Sequence, residues 1–176
     1  MSASPLANLK TKEYWGHKKK AHSVAWSCNG AKLASGSVDQ TVRVWSIDAT
    51  GKATDTELKG HQDSVDQLRW DPLQPEVLGT ASGDKTVRIW DARAGKCAHA
   101  IETRGENINI RWSPDGQHIA VGDKDDNISF IETTRGFLKM SGGKYDKPPY
   151  LKGPHWRSDH EAMAHSVLHS VVAVPV

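Results

Sequence analysis

The chain has 176 residues, of which 37% are hydrophobic and 25% charged, and this composition is ordinary for a globular protein and argues against general disorder. The formal net charge of +2 is too small to argue by itself for nucleic-acid binding, which needs clustered lysine and arginine. The start of the chain lacks the apolar segment of a secretion signal, and the longest apolar run near either end, residues 170–174, is too short to cross a membrane.

These features predict a protein of the cytosol or the nucleus. The two cysteines, Cys28 and Cys97, agree with this prediction because they lie far apart and outside any metal-ligand spacing. We expect both to be free thiols that fill small spaces in the core.

Short runs that alternate apolar and polar residues, separated by turn residues, predict β-strands along most of the chain. Residues 1–10 are expected to be a flexible N-terminus, and residues 11–15 an outermost strand. Further strands are predicted at residues 23–27, 32–36, 41–47 and 55–59, then at 64–70, 77–81, 86–91 and 97–103, and finally at 108–112, 119–122 and 128–131. From residue 134 the alternation stops, and residues 134–176 are expected to form an irregular, disordered tail.

One pattern recurs through the three groups of strands. The stretch from Ala81 to Asp91 is a polar turn followed by a strand that closes on Trp90, and the same pattern ends at Trp45, 45 positions earlier. The pairs Gly16-His17 and Gly60-His61 lie 44 positions apart, and Trp26, Trp70 and Trp112 recur at intervals of 44 and 42. Such a period, bounded by Gly-His and Trp-Asp pairs, is the signature of propeller blades.

The sequence therefore predicts an all-β fold made of WD40 β-propeller blades. About three are expected, at residues 16–59, 60–103 and 104–133. The third lacks a Gly-His pair and reads Ile131-Glu132 where Trp-Asp would stand, but its hydrophobic alternation survives. We expect this blade to form as well.

Polar residues that recur at equivalent positions of blades one and two can be interpreted as a catalytic triad or as a structural hydrogen-bond network. His17, Ser35 and Asp39 are the residue types of a nucleophilic triad, but the second blade repeats the same types. An active site occurs once, whereas a hydrogen-bond network that holds each blade together recurs, so we interpret the set as structural. In this interpretation the histidine donates to the aspartate and to the hydroxyl, with the tryptophan at the far end. The predicted set is His17, Ser35, Asp39 and Trp45 in blade one and His61, Thr80, Asp84 and Trp90 in blade two.

The loops after the Gly-His pairs and the turns before the aspartates should lie together on one face of a propeller. The run Lys18-Lys19-Lys20 could contact phosphate or an acidic partner there, although a solvated loop is the simpler interpretation. The candidate interaction surface comprises Lys18, Lys19, Lys20, Val38, Gln62, Asp63, Gly83 and Lys124.

No catalytic residue, metal site, cofactor or small-molecule substrate is predicted. His160 and His165 are five residues apart and would point in different directions on a helix, so they do not form the zinc-peptidase motif. His165 and His169 have a suitable spacing, but two histidines without a third ligand are a weak metal signal.

Several stretches also resemble one particular family. Residues 24–27, 33–37 and 63–68 are part of this resemblance, and the most discriminating stretch is Gly105-Glu106-Asn107-Ile108-Asn109-Ile110, which stands where an ordinary blade would carry its Gly-His pair. Over roughly residues 12–133 the chain resembles the WD-repeat subunits of THO/TREX complexes, in particular their plant form.

This resemblance implies an incomplete form of a propeller of about seven blades. It also implies a nuclear, non-enzymatic adaptor that couples transcription and splicing to mRNA export and, in plants, is linked to small-RNA production. The expected partners are other THO/TREX subunits, with RNA contacted indirectly or weakly. Three alternatives stay open: a truncated non-functional or regulatory splice product, a propeller that binds RNA directly through Lys18, Lys19, Lys20 and Arg43, and an enzyme.

Overall fold

The computed structural model describes residues 11–133, which form eleven β-strands in three antiparallel sheets and contain no helix. Blade one is the sheet of β1 (Ala21–Trp26), β2 (Lys32–Ser37), β3 (Val42–Ile47) and β4 (Ala53–Leu58), in that order. Blade two consists of β5 (Val65–Trp70), β6 (Val77–Ser82), β7 (Thr86–Asp91) and β8 (Lys96–Glu102). Blade three consists of β9 (Asn107–Trp112), β10 (His118–Asp123) and β11 (Ile128–Glu132).

The prediction of an all-β fold with three blades is confirmed, and each predicted strand except that at residues 11–15 lies within about two residues of an observed one. The agreement follows from the period-two alternation, which places apolar side chains on the buried faces of each sheet. A register shift interrupts the start of the innermost strand in every blade, between Ala21 and Ser23, between Val65 and Gln67, and opposite the step from Gly122 to Asp123.

The prediction of a strand at residues 11–15 is wrong. The outer strands β4 and β8 form because each pairs with the third strand of its own sheet, and no such strand lies beside residues 11–15 in the part of the chain that is described. Tyr14 instead packs on Trp45, with ring centroids 6.3 Å apart, and its hydroxyl donates to the Gly51 carbonyl at 3.0 Å.

Tryptophans at the ends of the innermost strands join neighbouring blades. Trp70 is buried and its indole N–H donates to the carbonyl of Ala25 at 2.9 Å. Trp112 repeats the contact one blade later, donating to the carbonyl of Arg69 at 3.2 Å. Around the first of these contacts lies a buried cluster of Ala34, Val42, Val44, Leu58, Val65, Leu68, Trp70, Leu78, Trp90 and Ala92.

The same position in blade one has no neighbour among residues 11–133. Val24 is 60% exposed and Trp26 is 57% exposed. Their counterparts in blade two, Leu68 and Trp70, are 0% and 6% exposed. Burial of these positions therefore depends on a blade that packs against them, and this face of blade one is open in the described structure.

The two cysteines differ in their surroundings. Both are free, but Cys28 is exposed, so the prediction that it is a core residue is wrong. The reason is that β1 ends at Trp26 and Cys28 falls in the turn that follows. Cys97 lies on β8 and packs against the buried cluster while remaining partly exposed.

The predictions for residues 1–10 and 134–176, including the histidines at 160, 165 and 169, fall outside the described residues. Among residues 11–133, no helix is long and apolar enough to span a membrane.

Candidate interaction surface

A short turn between the second and third strands is built in the same way in blades one and two. In blade one, Asp39 lies at the centre of this turn. Its carboxylate accepts the Thr41 backbone N–H at 3.0 Å and hydroxyl at 2.6 Å, and the backbone N–H of Lys18 at 2.8 Å. Burial alone would raise the pKa of Asp39, but these hydrogen bonds, together with that of His17, hold it well below its usual range. The carboxylate is therefore charged at neutral pH and joins the turn to the Gly-His loop.

The residues predicted as a structural set in blade one lie within hydrogen-bond distance of one another. His17 Nδ1 is 3.0 Å from Asp39 Oδ2, and its Nε2 is 2.7 Å from Ser35 Oγ. The Trp45 indole N–H donates to the same Ser35 hydroxyl at 2.9 Å. The hydroxyl thus accepts from the tryptophan and has its own proton available for the histidine.

Blade two repeats the arrangement with a more deeply buried histidine. His61 Nδ1 is 2.8 Å from Asp84 Oδ2 and Nε2 is 2.7 Å from Thr80 Oγ1, which accepts the Trp90 indole N–H at 2.9 Å. Burial lowers the pKa of His61 more than the charge of Asp84 raises it. A neutral imidazole has one N–H, so His61 donates to Asp84 and accepts from Thr80, rather than donating to both as the sequence suggested.

The Asp84 carboxylate is charged throughout the neutral range. Burial alone would raise its pKa, but hydrogen bonds from the Gln62 backbone, Thr86 and His61 lower the pKa to about 2. Each set therefore forms an unbroken path of donors and acceptors from tryptophan to aspartate. We call these two paths the blade locks.

In blade three, the turn between the second and third strands is held by a different carboxylate. Asp125 stands at the position equivalent to Asp39 and Asp84, but the accepting carboxylate belongs to Asp123, two residues earlier. Asp123 accepts the backbone N–H groups of Asp125 at 3.0 Å and of Asn127 at 2.9 Å, and also the Asn127 side-chain amide. Gly105 is required beside it, because a Cβ atom on Gly105 would overlap this carboxylate.

Backbone hydrogen bonds join each predicted turn residue of this surface to the loop before an innermost strand. The turn residue Val38 donates its backbone N–H to the Lys20 carbonyl at 3.0 Å, and Gly83 donates in the same way to Ser64 at 3.1 Å. Lys124 repeats the bond to Glu106 at 3.0 Å. Three equivalent turns are thereby joined to the loops that precede β1, β5 and β9.

The side chains of this surface differ in how available they are. The predicted residues Lys18, Lys19, Lys20, Gln62, Asp63 and Lys124 are exposed, whereas Val38 and Gly83 are half-buried. The ammonium group of Lys124 pairs with Glu106, which raises the pKa of Lys124. Arg43, which the RNA-binding alternative includes, pairs with Asp55 and Glu57 and so is not free to contact phosphate.

A groove of about 300 Å³ connects the surfaces of blades one and two. The groove lies where Lys18, in the loop after the first Gly-His pair, approaches the second Gly-His pair, Gly60-His61. Its lining residues are Lys18, Asp39, Gln40, Thr41, Glu57, Lys59, Gly60 and His61.

Some residues of these turns were missed by the sequence analysis. Thr41 and Thr86 donate their hydroxyls to Asp39 and Asp84, at 2.6 and 2.7 Å. The signal was present, because the pattern Ser-x-Asp-x-Thr recurs at residues 37–41 and 82–86. Glu106 had no such signal, since its role depends on the position of Lys124. Within residues 11–133, no group of three or more histidine, cysteine or acidic residues is arranged to hold a metal ion.

The sequence profile described as "WD domain, G-beta repeat" matches residues 8–46, 52–91 and 95–131. Each match begins with the segment that precedes an innermost strand and ends at or near the third strand of the blade. The sequence repeat is therefore offset by one strand from the sheets.

Three relatives show how far the similarity extends. THO complex subunit 3 of Arabidopsis thaliana is 59% identical over 144 residues, which are 81% of this chain and 45% of that protein. WD repeat-containing protein AAC3 of Dictyostelium discoideum is 39% identical over 72% of this chain and 30% of its own length. Cell division cycle 20.1, cofactor of APC complex, of A. thaliana is 30% identical over 57% of this chain and 23% of its own length. The chain spans less than half the length of each of them.

Proposed function

Because the chain belongs to the WD40 repeat family, we propose that it is a protein-interaction scaffold of a THO-type complex. The observation that carries this proposal is the 59% identity to THO complex subunit 3 over 81% of the chain. A shared fold alone would not support a shared function, because one fold serves many functions. The identity to AAC3, 39%, is much lower over a similar part of the chain.

The scaffold acts by binding and by no chemical step. Residues 11–133 constitute the WD40 domain, with blades at 16–59, 60–103 and 104–133, and the blade locks hold its turns and loops in place. Support for a non-enzymatic role comes from repetition, since both blade locks contain the same hydroxyl, histidine and aspartate types. The histidine nitrogen that would activate a nucleophile accepts from a hydroxyl that is itself bonded to a tryptophan.

The cellular role follows from the same relationship. The chain acts in the nucleus, where its complex couples transcription and splicing to mRNA export and, in plants, contributes to small-RNA production. Its partners are other subunits of the complex, and RNA reaches the complex mainly through them. The exposed surface formed by Lys18, Lys19, Lys20, Gln62 and Asp63 is the part of the domain that contacts a subunit.

Co-purification tests this proposal. The full chain is mixed with the recombinant subunits of the Arabidopsis THO complex, without its subunit 3, and captured through a tag. We expect subunits of the complex to be retained, and we expect retention to fall when Lys18, Lys19 and Lys20 are all replaced by serine. Replacement of the exposed Lys52, in the turn between β3 and β4, and of the exposed Lys96, the first residue of β8, serves as the control and leaves retention unchanged, because both lie at the opposite ends of the strands.

Failure of the chain to retain any subunit would contradict the scaffold role. That result would favour the alternative that the chain is a truncated, non-functional or regulatory product. Retention that is equal for the two sets of variants would keep the scaffold role but move the contact away from Lys18, Lys19 and Lys20.

Direct RNA binding is the second candidate function, and the three adjacent exposed lysines favour it. Binding of this kind weakens steeply with salt, because each phosphate contact releases counterions. The test is a mobility shift with bare single-stranded RNA between 50 and 200 mM salt, a range over which three phosphate contacts on a single strand lose roughly twentyfold in affinity. The triple serine variant should abolish the shift, whereas Arg43→Gln should leave it unchanged.

A further inference from the structure

Neighbouring blades contact each other through the same two surfaces each time. The first strand of a blade packs against the first and second strands of the blade before it, as β5 does on β1 and β2, and β9 on β5 and β6. We call the packed side of the first strand the inserting face. The side of the preceding blade that it meets is the receiving face. The described structure contains this contact twice.

Small residues on the second strand make room on the receiving faces of blades one and two. A Cβ atom on Gly36 of β2 would lie 2.8 Å from Cγ1 of Val65 on β5. A Cβ atom on Gly79 of β6 would lie 3.2 Å from both Ile110 Cδ1 and Trp112 Nε1 on β9. Each small residue therefore accommodates apolar side chains of the next blade's inserting face, and both glycines are buried by it.

Blade three has small residues at the same positions of its receiving face. Ala120 of β10 stands at the position of Gly79, one residue beyond the residue that lies opposite the terminal tryptophan of the first strand. Burial is continuous along β6 from Leu78 to Ser82, but it alternates along β10, where Ala120 and Gly122 are partly exposed. Blade three thus presents a receiving face that no blade among residues 11–133 fills.

Blade one presents the other half of the contact. Val24 and Trp26 stand on β1 where Leu68 and Trp70 stand on β5, and unlike these buried counterparts they are largely exposed. Tyr14 packs on Trp45 of β3, on the same side of the blade, and leaves β1 uncovered. The inserting face of blade one and the receiving face of blade three are therefore the open members of one repeated interface.

We propose that two copies of this chain pack head to tail, with β1 of each copy inserted against β9 and β10 of the other. Gly79 contacts Ile110 and Trp112 within the chain, and by the same geometry Ala120 of one copy meets Val24 and Trp26 of the other. Burial of these exposed apolar side chains drives the association.

The number of blades allows the two copies to close on each other. Each copy contributes three sheets, so two copies contribute six, and propellers typically contain about four to eight blades. Two equivalent contacts then cover both open faces of both copies, and the assembly stops at the dimer. This inference goes beyond the proposed function, because only copies of this chain take part. Its test can fail while the scaffold role stands, and the reverse.

Sedimentation velocity of the purified full chain tests this arrangement. We expect the native chain to sediment as a dimer. Trp26→Ser removes the main inserting side chain and Ala120→Gln fills the receiving face, so each variant alone should be monomeric, because both contacts of its dimer are damaged. Leu73→Ser is the matched control and should remain dimeric, since Leu73 is 52% exposed but lies between β5 and β6, on neither face.

An equimolar mixture of the two interface variants identifies the head-to-tail contact. The intact blade one of the Ala120→Gln copy can pack on the intact blade three of the Trp26→Ser copy. We therefore expect a mixed dimer, which should be weaker than the native dimer because its other contact carries both substitutions. Formation of the mixed dimer would also show that both variants fold.

A second variant of blade three protects the test if Ala120→Gln does not fold. Ile128 lies opposite Gly122 as Val42 lies opposite Gly36, but Val42 is fully buried whereas Ile128 is 50% exposed. Ile128→Asp should therefore leave the fold intact and place a charge on the open receiving face. It should be monomeric alone and form a dimer when mixed with the blade-one variant.

Four results would overturn the proposal. A native chain that stays monomeric at every concentration would mean that the two faces do not meet. Dimers of Ile128→Asp that are as stable as the native ones, with Trp26→Ser monomeric, would mean that blade one packs on a second blade one. Monomeric mixtures of Trp26→Ser with both blade-three variants would exclude the head-to-tail contact. Association of the native chain that continues beyond the dimer would contradict the closed ring.

Discussion

His61 connects Thr80 to Asp84 through a ring that is neutral at pH 7. In that state it accepts from the Thr80 hydroxyl and donates to Asp84, and burial lowers its pKa in agreement with this arrangement. Protonation would turn the accepting nitrogen into a donor, so the Thr80 hydroxyl would have to turn its proton away, toward the Arg88 carbonyl at 3.3 Å. The blade lock is therefore sensitive to pH at a single residue.

The pH dependence of stability should reveal this lowered pKa. The unfolded chain takes up a proton on His61 near the ordinary histidine pKa of about 6.5, while the folded chain resists it, so stability is lost as the pH falls below that value. We expect the native midpoint to exceed that of His61→Gln at pH 7.5, and the difference to shrink by pH 5.5. Asp84 does not contribute in this range, since its stabilising effect is lost only as the pH falls from its ordinary value of 3.8 toward about 2. A difference that widens on acidification would show that the protonated His61–Asp84 pair is the stable form.

Two tryptophans of opposite exposure give a second prediction at the residue scale. Trp90 is 1% exposed and Trp15 is 86% exposed. Trp90→Ala should lower the free energy of unfolding by about 3 to 5 kcal/mol, because it empties a buried aromatic site and leaves Thr80 without its donor. Trp15→Ala should change it by less than about 0.5 kcal/mol. Urea denaturation measures both, and similar losses would count against the assignment of the blade.

At the scale of the element, each blade needs its turn between the second and third strands to be held from within. Blades one and two use an aspartate two residues after the end of the second strand, whereas blade three uses Asp123, the last residue of β10. This shift brings the carboxylate against Gly105, in the position where the other blades carry the Gly-His loop. The departure of blade three from the repeat is therefore compensated within the same blade.

A glycine substitution tests this compensation. Gly105→Ala should cost about 1 to 3 kcal/mol, because its Cβ would overlap the Asp123 carboxylate, which two backbone N–H groups hold in place. Gly122→Ala is the matched control in the same blade, since its Cβ would meet Asn109 at an ordinary distance of 3.6 Å. Thermal denaturation compares the two variants. Equal effects would indicate that Asp123 moves freely and does not hold the turn.

At the scale of the whole molecule, the blades stabilise one another through their faces. Trp70 and Trp112 each donate to the innermost strand of the preceding blade, and only blade one presents the corresponding tryptophan to an open face within residues 11–133. Exposed apolar faces of this kind favour association with another chain. The described structure thus has strong contacts between its blades and an unpaired surface on its first blade.

Substitution of equivalent tryptophans distinguishes a face that is covered by a neighbouring blade from the open face of blade one. Trp70→Ser should destabilise the chain by about 3 to 5 kcal/mol, whereas Trp26→Ser should cost less than about 1 kcal/mol, because Trp26 is 57% exposed and Trp70 is 6% exposed. We also expect the native chain to self-associate and Trp26→Ser to do so less, as measured by size-exclusion chromatography with light scattering. A monomeric native chain in which both substitutions are equally costly would mean that residues outside 11–133 cover Trp26.

Local patterns in the sequence determined the strands, their order and the composition of the blade locks. Alternation with period two depends only on neighbouring residues, and the locks recur because each blade repeats the same local geometry. The repetition of residue types in blades one and two predicted which side chains meet in each lock, whereas the direction of the hydrogen bond between His61 and Thr80 was not predicted correctly.

Only the tertiary structure decided which predicted strands form and which of their apolar side chains are buried. Trp26 and Trp70 close equivalent strands, yet one is exposed and the other buried, because burial depends on the neighbouring sheet. Residues 11–15 have the character of a strand but form none, since a strand needs a partner for its backbone hydrogen bonds. The replacement of Asp125 by Asp123 and the approach of Arg111 to Gln67 likewise depend on distances between residues that are separate in sequence. Such distances are set by packing, which local alternation does not encode.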